Sequence, residues 1–172
     1  LPKNERTVEK IIFEKTSTLL NSNIIVAKQS TNKISDEIKN TISKITSQKL
    51  FFNKDFNYSL SENNFFYYED KIGGLKLPLP NVNGQFQLEN ISTAIATLRS
   101  IKKLEIKEEH IKSGIIKIQS IARLQEITKG KLKNLVKDNR LLVDGSHNPL
   151  GAKVLNEYLE SLNCNKHIIL GM

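Results

Sequence analysis

Apolar residues recur at helical spacing in two segments near the amino end of the chain. The first segment predicts a helix over residues 4–20, with an apolar stripe of four residues: Val8, Ile11, Ile12 and Leu19. Lys15 occupies the i+7 position of that stripe, where a lysine is costly unless its stem snorkels or its charge is paired. The second segment predicts a helix that Ser30 or Thr31 caps, with one face formed by isoleucines: Ile34, Ile38, Ile42 and Ile45. A short apolar strand over residues 24–27 is predicted between the two helices.

The middle of the chain changes to short apolar runs, separated by Asn-rich and Gly-Gly turns. These runs predict four strands, over residues 50–52, 57–60, 65–68 and 75–77. Prolines in the stretch 77–84 exclude regular structure there, because proline restricts the residue before it. A strong helix is predicted over 87–102, and its expected buried face consists of five apolar residues: Leu88, Ile91, Ile95, Leu98 and Ile101. Ala94 is expected to allow close packing on that face, and a shorter helix is predicted over 108–118.

The last third of the chain has the pattern of strand, helix and strand. A strand is predicted over 123–128, a buried strand over 141–143, a helix over 149–162 and a strand over 167–170. The last three elements form a βαβ unit, which implies a parallel sheet with a right-handed crossover. Since a sheet of two strands cannot bury both of its faces, we expect the chain to be truncated, with a domain boundary near 119–123.

Composition favours a folded protein in a reducing compartment. The 172 residues are 38% hydrophobic with mixed charges, which excludes wholesale disorder. No segment approaches the ~20 apolar residues of a membrane helix, and residues 1–10 contain no basic leader followed by an apolar region. The single cysteine, Cys164, cannot form an internal disulfide. We therefore expect a cytoplasmic protein with no membrane span and no secretory signal.

The net charge of +8 admits two interpretations. A basic surface is typical of proteins that bind nucleic acid, so a non-catalytic binding module is one hypothesis, and it predicts salt-dependent binding of RNA or DNA. The alternative is that the lysines are scattered over solvated faces. This alternative is favoured, because the basic residues form no stripe, the chain has no Trp, and the aromatics at 51–52 and 65–68 are typical of strands. We expect no nucleic-acid partner.

The segment LLVDGSHNPLG, residues 141–151, combines a ligand-binding position with reactive side chains. Asp144 follows directly after the predicted buried strand, and ligands bind at the carboxyl ends of strands in open α/β sheets. Asn148 can cap the following helix and Pro149 suits its first turn, so free amides at the helix start favour a carboxylate or a phosphate. Capping alone does not explain Asp144 and His147 beside it. A functional loop is therefore favoured over an ordinary strand–turn–helix.

This loop resembles the DGAHNP motif of the folylpolyglutamate synthase/dihydrofolate synthase family, a branch of the Mur ligase superfamily. Three further segments resemble family motifs: residues 84–98, GQFQLENISTAIATL, are similar to GxxQxxNAxxAxAAL; residues 121–127, IARLQEI, to PGRLE; and residues 7–17, TVEKIIFEKTS, to a segment that ends in REKAG. Four motifs in one order are more specific than any of them alone. The chain has Ile121-Ala122 in place of Pro-Gly, Ser146 in place of Ala, and Thr16-Ser17 in place of Ala-Gly.

The resemblance implies a fold class, two domains and an activity. The α/β fold would place the C-terminal portion of a Mur-ligase-type P-loop central domain in residues 1–120, and the truncated start of a Rossmann-like C-terminal domain in residues 121–172. The implied enzyme is a monomeric ATP-dependent ligase that uses Mg²⁺ and adds L-glutamate to a folate or dihydropteroate carboxylate through an acyl phosphate. The family carries its Gly-rich phosphate loop further toward the amino end, and this chain contains no GxxGKS-type loop. We therefore expect no catalysis by this chain alone.

The same resemblance implies roles for residues that bind ATP and metal. The family's residues that match Asn90, Arg123 and Asp144 contact ATP. Lys15 matches a carbamylated lysine, whose carboxylate holds Mg²⁺ beside the reacting phosphate. Alternatives stay open for both residues. From spacing alone, Asn90 is favoured as a polar residue at the margin of the buried stripe, and Arg123 is alternatively a surface cation.

Two residues of the loop are expected on the glutamate side of the site. His147 is taken as a catalytic and substrate-binding residue, and Asn148 as a substrate-binding residue. By contrast, we interpret His110, His167 and the lysine-rich segment 129–137 as surface or loop residues.

The nearest alternative enzyme is a peptidoglycan Mur ligase, with the same chemistry and a different acceptor. Those ligases resemble HNxxNxxAA at the helix that corresponds to 87–102, and DYAHHP at the later loop. This chain has FQLEN and DGSHNP at these positions, which favours a folate acceptor.

Overall fold

The computed structural model of the chain describes residues 7–19, 22–61 and 65–171. The chain folds as two compact units. Unit 1 consists of Leu1–Leu79 and Leu88–Ile116, and unit 2 of Pro80–Gln87 and Lys117–Met172. The assignment of residues 1–120 and 121–172 to two ligase domains stays a prediction. Within the described ranges, no helix has both the length and the apolar character needed to cross a bilayer.

Unit 1 opens with two helices and two strands: α1 (Val8–Thr16), β1 (Ile24–Val26), α2 (Asn32–Thr41) and β2 (Lys49–Phe51). The two strands pair in parallel, with Ile25 opposite Leu50. Thr31 caps α2, because its side chain accepts a hydrogen bond from the N–H of Ile34 at 3.3 Å. Ile42, which follows α2, is fully buried in a cluster with the apolar residues of β1. The predicted cap and the predicted isoleucine face of this segment are confirmed.

Three strands of unit 1 form an antiparallel sheet in the order β3-β4-β5: β3 (Phe56–Leu60), β4 (Phe65–Asp70) and β5 (Leu75–Pro78). Side chains along β4 alternate between the two faces of this sheet. Phe66 and Tyr68 are fully buried, whereas Phe65 and Tyr67 are exposed. All four strands predicted from the short apolar runs are present, with ends that differ by at most two residues.

The strong helix is α3 (Gln85–Ser100), whose residues 85–87 belong to unit 2, and the shorter one is α4 (Glu108–Lys117). In unit 1, the buried residues of α3 lie at positions i, i+1, i+4 and i+5 of one face: Ile91, Ser92, Ile95 and Ala96. In unit 2, Gln87 of the same helix is also buried. The predicted face was therefore partly wrong. Leu98 and Ile101 are exposed, and so is Ala94, which packs against no core. The true face is rotated toward Ser92 and Ala96, two small residues that hydrophobicity alone did not select.

Unit 2 contains four elements after α4: β6 (Gln125–Glu126), α5 (Lys131–Val136), β7 (Leu142–Val143) and α6 (Pro149–Glu160). Strands β6 and β7 pair antiparallel, with Glu126 opposite Leu142. Arg140 strengthens this pair, since its guanidinium contacts the carboxylate of Glu126 at 2.7 Å and the hydroxyl of Tyr158 at 3.4 Å. The ion pair therefore ties β6 and α6 to the residue that leads into β7.

Three expectations for unit 2 were wrong. The strand at 141–143 is not buried, since Val143 is 39% exposed. Residues 167–170 form no strand, and Ile169 is 99% exposed. A strand needs a hydrogen-bonded neighbour, and the described residues offer segment 167–170 none. The described residues therefore form no parallel βαβ unit, and β7 pairs with β6. The segment 129–137 was expected to consist of surface or loop residues; it contains the short helix α5, and its residues are exposed or half-buried, as expected for a surface segment.

Candidate functional site

Arg123 lies between two residues whose backbone has the left-handed conformation. Ala122 and Leu124 both have φ of 51°. This region costs an L-residue about 1–2 kcal/mol, and it is especially unusual for a bulky side chain. Leu124 is nevertheless only 1% exposed. The segment Ala122–Leu124, here called the arginine loop, therefore needs contacts that hold it in this shape.

Side chains and backbone groups from distant parts of unit 2 supply those contacts. The N–H of Leu124 donates to Oδ2 of Asp144 at 2.8 Å, and its carbonyl oxygen accepts from Nδ2 of Asn83 at 2.8 Å. The N–H of Ala122 donates to Oε1 of Gln125 at 2.9 Å, and its carbonyl accepts from the N–H of Gly145 at 2.7 Å. Both residues with positive φ thus have their backbone polar groups satisfied. The arginine loop is fixed, and the exposed Arg123 is presented from a defined backbone.

The conformation of Ala122 explains the Gly found at this position of the resembled PGRLE segment. Glycine adopts positive φ without steric cost but loses more backbone entropy on folding. We expect Ala122→Gly to raise the free energy of unfolding by at most about 1 kcal/mol. The substitution relieves the strain of the left-handed backbone, and this gain exceeds the cost of the greater backbone entropy of glycine in the unfolded chain. Urea denaturation measures this, with Ala152→Gly in the exposed interior of α6 as control, expected to destabilise by about 0.5–1 kcal/mol. Destabilisation by Ala122→Gly equal to that of the control would contradict the strain.

Asp144 is the centre of the contacts between the arginine loop and the start of α6. One carboxylate oxygen accepts from Leu124, and the other accepts from the N–H of Ser146 at 2.8 Å and from the Ser146 hydroxyl. Burial opposes ionisation, but these hydrogen bonds and the charge of Arg123 outweigh it, so the pKa of Asp144 lies below its ordinary value. Asp144 is therefore a carboxylate at neutral pH.

His147 and Asn148 occupy the exposed entry to α6. Nδ1 of His147 lies 3.0 Å from the carbonyl oxygen of Gly145. When Nδ1 carries the proton and donates to that carbonyl, Nε2 is left as the ring nitrogen that can accept. Oδ1 of Asn148 accepts from the N–H of Gly151 at 2.8 Å, and Pro149 fills the first helical position. The predicted cap is confirmed, and it engages the side-chain oxygen of Asn148; a role in binding substrate stays a prediction.

The cap gives a direct stability test. We expect Asn148→Ala to lower the free energy of unfolding by about 1 kcal/mol, because the amide of Gly151 loses its acceptor. Asn148→Gly should cost only a few tenths of a kcal/mol, since glycine is tolerated at this position. Urea denaturation of both variants distinguishes them, and an alanine variant as stable as the original chain would show that the cap contributes nothing.

The other two predicted site residues belong to unit 1 and lie on different helices, Lys15 on α1 and Asn90 on α3. Helix α1 is shorter than predicted; residues 4–6 and 20 lie outside the described residues. Lys15 is exposed, and Ile12 is the buried residue of the helix, so the Lys15 side chain reaches solvent as the snorkelling alternative predicts. Asn90 is exposed too, next to Glu89, whose carboxylate pairs with Nζ of Lys28 at 2.7 Å.

The described residues do not assemble a magnesium centre. Among residues 7–19, 22–61 and 65–171, no group of three or more His, Cys, Asp or Glu side chains could hold a metal ion. Mg²⁺ prefers several oxygen ligands in octahedral geometry, and one lysine carbamate supplies only part of such a set. Lys15 as a ligand of Mg²⁺ therefore stays a prediction.

Some contributors to the site were not found from sequence. Asn83 and Gln125 each hold the arginine loop by one hydrogen bond. Asn83 lies 41 positions from Leu124, a separation that no local pattern encodes, whereas Gln125 lies three positions from Ala122 and accepts from its N–H. The one available signal was Ala122 at the glycine position of the resembled motif, which indicates a special backbone. Ser146 stands in place of the Ala of the resembled motif, and its hydroxyl contacts the carboxylate of Asp144.

This mixed α/β fold, with a DGSHNP loop at the start of α6, is the fold of folate–glutamate ligases. The chain matches E. coli FolC in complex with DHPP and ADP with a TM-score of 0.73 at 26% identity, over 92% of this chain and 34% of that one. It matches the folylpolyglutamate synthase of Thermotoga maritima with a TM-score of 0.72 at 23% identity, over 90% of this chain and 35% of the other. A folylpolyglutamate synthase complex with AMPPCP and folate matches with a TM-score of 0.71 at 23% identity, over 90% and 38%.

The fold that the four motifs predicted is thus confirmed by the solved structures. The chain spans about a third of the length of these solved structures. No family model matches the chain, and no curated protein matches its sequence.

Proposed function

We propose that the chain is part of an ATP-dependent ligase that joins L-glutamate to the carboxylate of a folate or a dihydropteroate. The observation that carries this proposal is the match to E. coli FolC, whose structure holds DHPP and ADP and shares its fold with 92% of this chain. The arginine loop and the DGSHNP loop, joined in unit 2 through Asp144, support the same assignment. A nucleotide ligand is further supported by the AMPPCP and ADP complexes among the matched structures.

The proposed reaction has two balanced steps. An oxygen of the acceptor carboxylate attacks the γ-phosphorus of ATP. The bond between that phosphorus and the bridging oxygen of the β-phosphate breaks, so ADP departs and the acceptor becomes an acyl phosphate. The amino nitrogen of glutamate then attacks the acyl carbon, loses a proton and expels inorganic phosphate, which leaves an amide. Two steps of moderate barrier replace the direct condensation of a carboxylate with an amine.

The residues of unit 2 suit the charges that this reaction handles. The guanidinium of Arg123 stays charged and presents several donors to phosphate oxygens or to a nucleotide. Asp144 fixes the loop that carries Arg123. His147 and Asn148 lie at the start of α6, where the helix dipole favours a carboxylate such as those of glutamate. The roles of Asn90 and Arg123 in binding the nucleotide, and of Lys15 as a carbamate ligand of Mg²⁺, are part of this proposal.

A panel of acceptors tests the proposal. The full-length gene product is incubated with ATP, Mg²⁺, L-glutamate and one of three acceptors: dihydropteroate, a folate or a peptidoglycan precursor. We expect ADP and a product heavier by one glutamyl unit, in equal amounts, with the first or second acceptor and not with the third. Ligation of the peptidoglycan precursor alone would show a Mur ligase, and the absence of ligation with every acceptor would refute the proposal.

A further inference from the structure

Ser146 makes two contacts with one oxygen of Asp144. Its backbone N–H donates to Oδ1 at 2.8 Å, and its hydroxyl also donates to Oδ1. The other oxygen, Oδ2, accepts from the N–H of Leu124 at 2.8 Å. A carboxylate offers about four lone-pair positions. Three are filled by these donors, so the open position is on Oδ2.

The hydroxyl of Ser146 is an addition in this chain, because the resembled DGAHNP motif has Ala there. Ser146 is exposed, and it lies close to the first turn of α6. A Cβ placed on Gly151 would lie 3.0 Å from the Ser146 Oγ and 3.2 Å from its Cβ. Ser146 contacts the Asp144 carboxylate through two groups, its hydroxyl and its N–H. Its second donor restricts rotation of that carboxylate, which a backbone amide alone constrains less.

We propose that Ser146 is a positioning residue that fixes Oδ1 of Asp144, so that Oδ2 both holds the arginine loop and offers one free acceptor position to a bound nucleotide. The Asp144 carboxylate joins Ser146 to Leu124, and through Leu124 to Arg123. The nucleotide part of this inference rests on the proposed function. The part that concerns Asp144 and the arginine loop rests on contacts within unit 2 alone.

Two measurements on the full-length gene product test the proposal, each comparing Ser146→Ala with the original. The first is the titration midpoint of the Asp144 carboxyl without ligand, followed by carbon-13 NMR. A group whose pKa is lowered by hydrogen bonds titrates at higher pH when one is removed, so we expect the midpoint to rise by about half a pH unit to one unit. Arg123 and His147 are the other charged or titratable residues of the two loops, and both are retained in the variant.

The second measurement is the Kd for ADP at pH 7 by calorimetry. We expect Ser146→Ala to raise it by about three- to tenfold, the range for loss of one ordinary hydrogen bond, because Ser146 acts on the nucleotide only through Asp144. The control is Ser161→Ala, at the far end of α6, where the hydroxyl donates to the carbonyl of Tyr158; it should change neither value.

The outcomes separate the two proposals. An unchanged midpoint and an unchanged Kd in Ser146→Ala would overturn the positioning role, as would equal changes in the control. If the full-length gene product binds no ADP and ligates no acceptor, the proposed function fails, while the titration midpoint still decides whether Ser146 positions Asp144.

Discussion

Replacement of Asp144 by Asn is expected to lower kcat/KM for ATP by about 10- to 100-fold in the full-length gene product. The side chain keeps its size but loses its charge. In the variant, the side-chain oxygen can still accept a hydrogen bond. The side-chain NH2 group, which only donates, must face either the N–H of Leu124 or the two donors of Ser146. A donor on one side is then left unpaired, and the arginine loop loses a contact that offsets the cost of its two left-handed residues. Steady-state kinetics with ATP as the varied substrate measure the effect.

The matched control is Asp138→Asn, an exposed acid of the same unit that precedes β7. We expect ATP kinetics within about twofold of the original protein, since exposed charges far from a bound ligand contribute little. Far-ultraviolet circular dichroism of both variants shows whether the folds are retained. Unchanged ATP kinetics in Asp144→Asn, with the fold intact, would refute the role of Asp144, and an equal loss in Asp138→Asn would show a general effect of charge.

Replacement of Asp70 by Ala is expected to lower the free energy of unfolding by about 3–5 kcal/mol. Oδ2 of Asp70 lies 3.2 Å from Nε of Arg99 and accepts from the hydroxyl of Tyr68 at 2.9 Å. Both members of the ion pair are nearly buried, at 10% and 12% side-chain exposure. Burial, the charge of Asp70 and its hydrogen bond all raise the pKa of the Tyr68 phenol, so it stays a donor. Without Asp70, the Arg99 guanidinium is left as an uncompensated charge.

One atom of Arg99 makes that loss more severe. Its Nη1 is buried and has no hydrogen-bond partner among the residues described, so the guanidinium already depends on Asp70 for compensation. The control is Asp36→Ala, which removes an exposed pair with Lys39 at 2.8 Å and should cost no more than about 0.5 kcal/mol. Urea denaturation measures both. A loss in Asp70→Ala as small as that of the control would show that the pair does not stabilise unit 1.

Elements with a strong local pattern were predictable from sequence. Strand β4 begins with four consecutive aromatic residues, and its pairing with β5 follows from the Gly-Gly turn at 73–74. The buried face of α3 was less accessible to prediction. Hydrophobicity points to Leu98, whereas packing buries Ser92, whose hydroxyl finds a partner in the carbonyl of Glu89 at 2.8 Å. A small polar residue that satisfies its own hydrogen bond can lie in a core, and a pattern of apolar residues does not reveal it.

The site was predictable as a set of loops but not as a network. The capping chemistry of Asn148 and Pro149 and the position of Asp144 after a strand follow from short-range rules. The hydrogen bond from Leu124 to Asp144 joins residues 20 positions apart, and the one from Asn83 joins residues 41 positions apart. Such contacts depend on how the backbone of unit 2 folds, including two positive φ angles that no rule assigns to Ala or Leu.

The proposed reaction joins glutamate to a carboxylate acceptor by way of an acyl phosphate. The most direct measurement gives the full-length gene product ATP, Mg²⁺, L-glutamate and dihydropteroate labelled with oxygen-18 in its carboxylate, and follows the label in inorganic phosphate by mass spectrometry. We predict one labelled oxygen in phosphate for each amide formed, because the attacking carboxylate oxygen stays on phosphorus when the amine displaces it. Amide formed with unlabelled phosphate, or labelled acceptor recovered without any amide, would contradict the account.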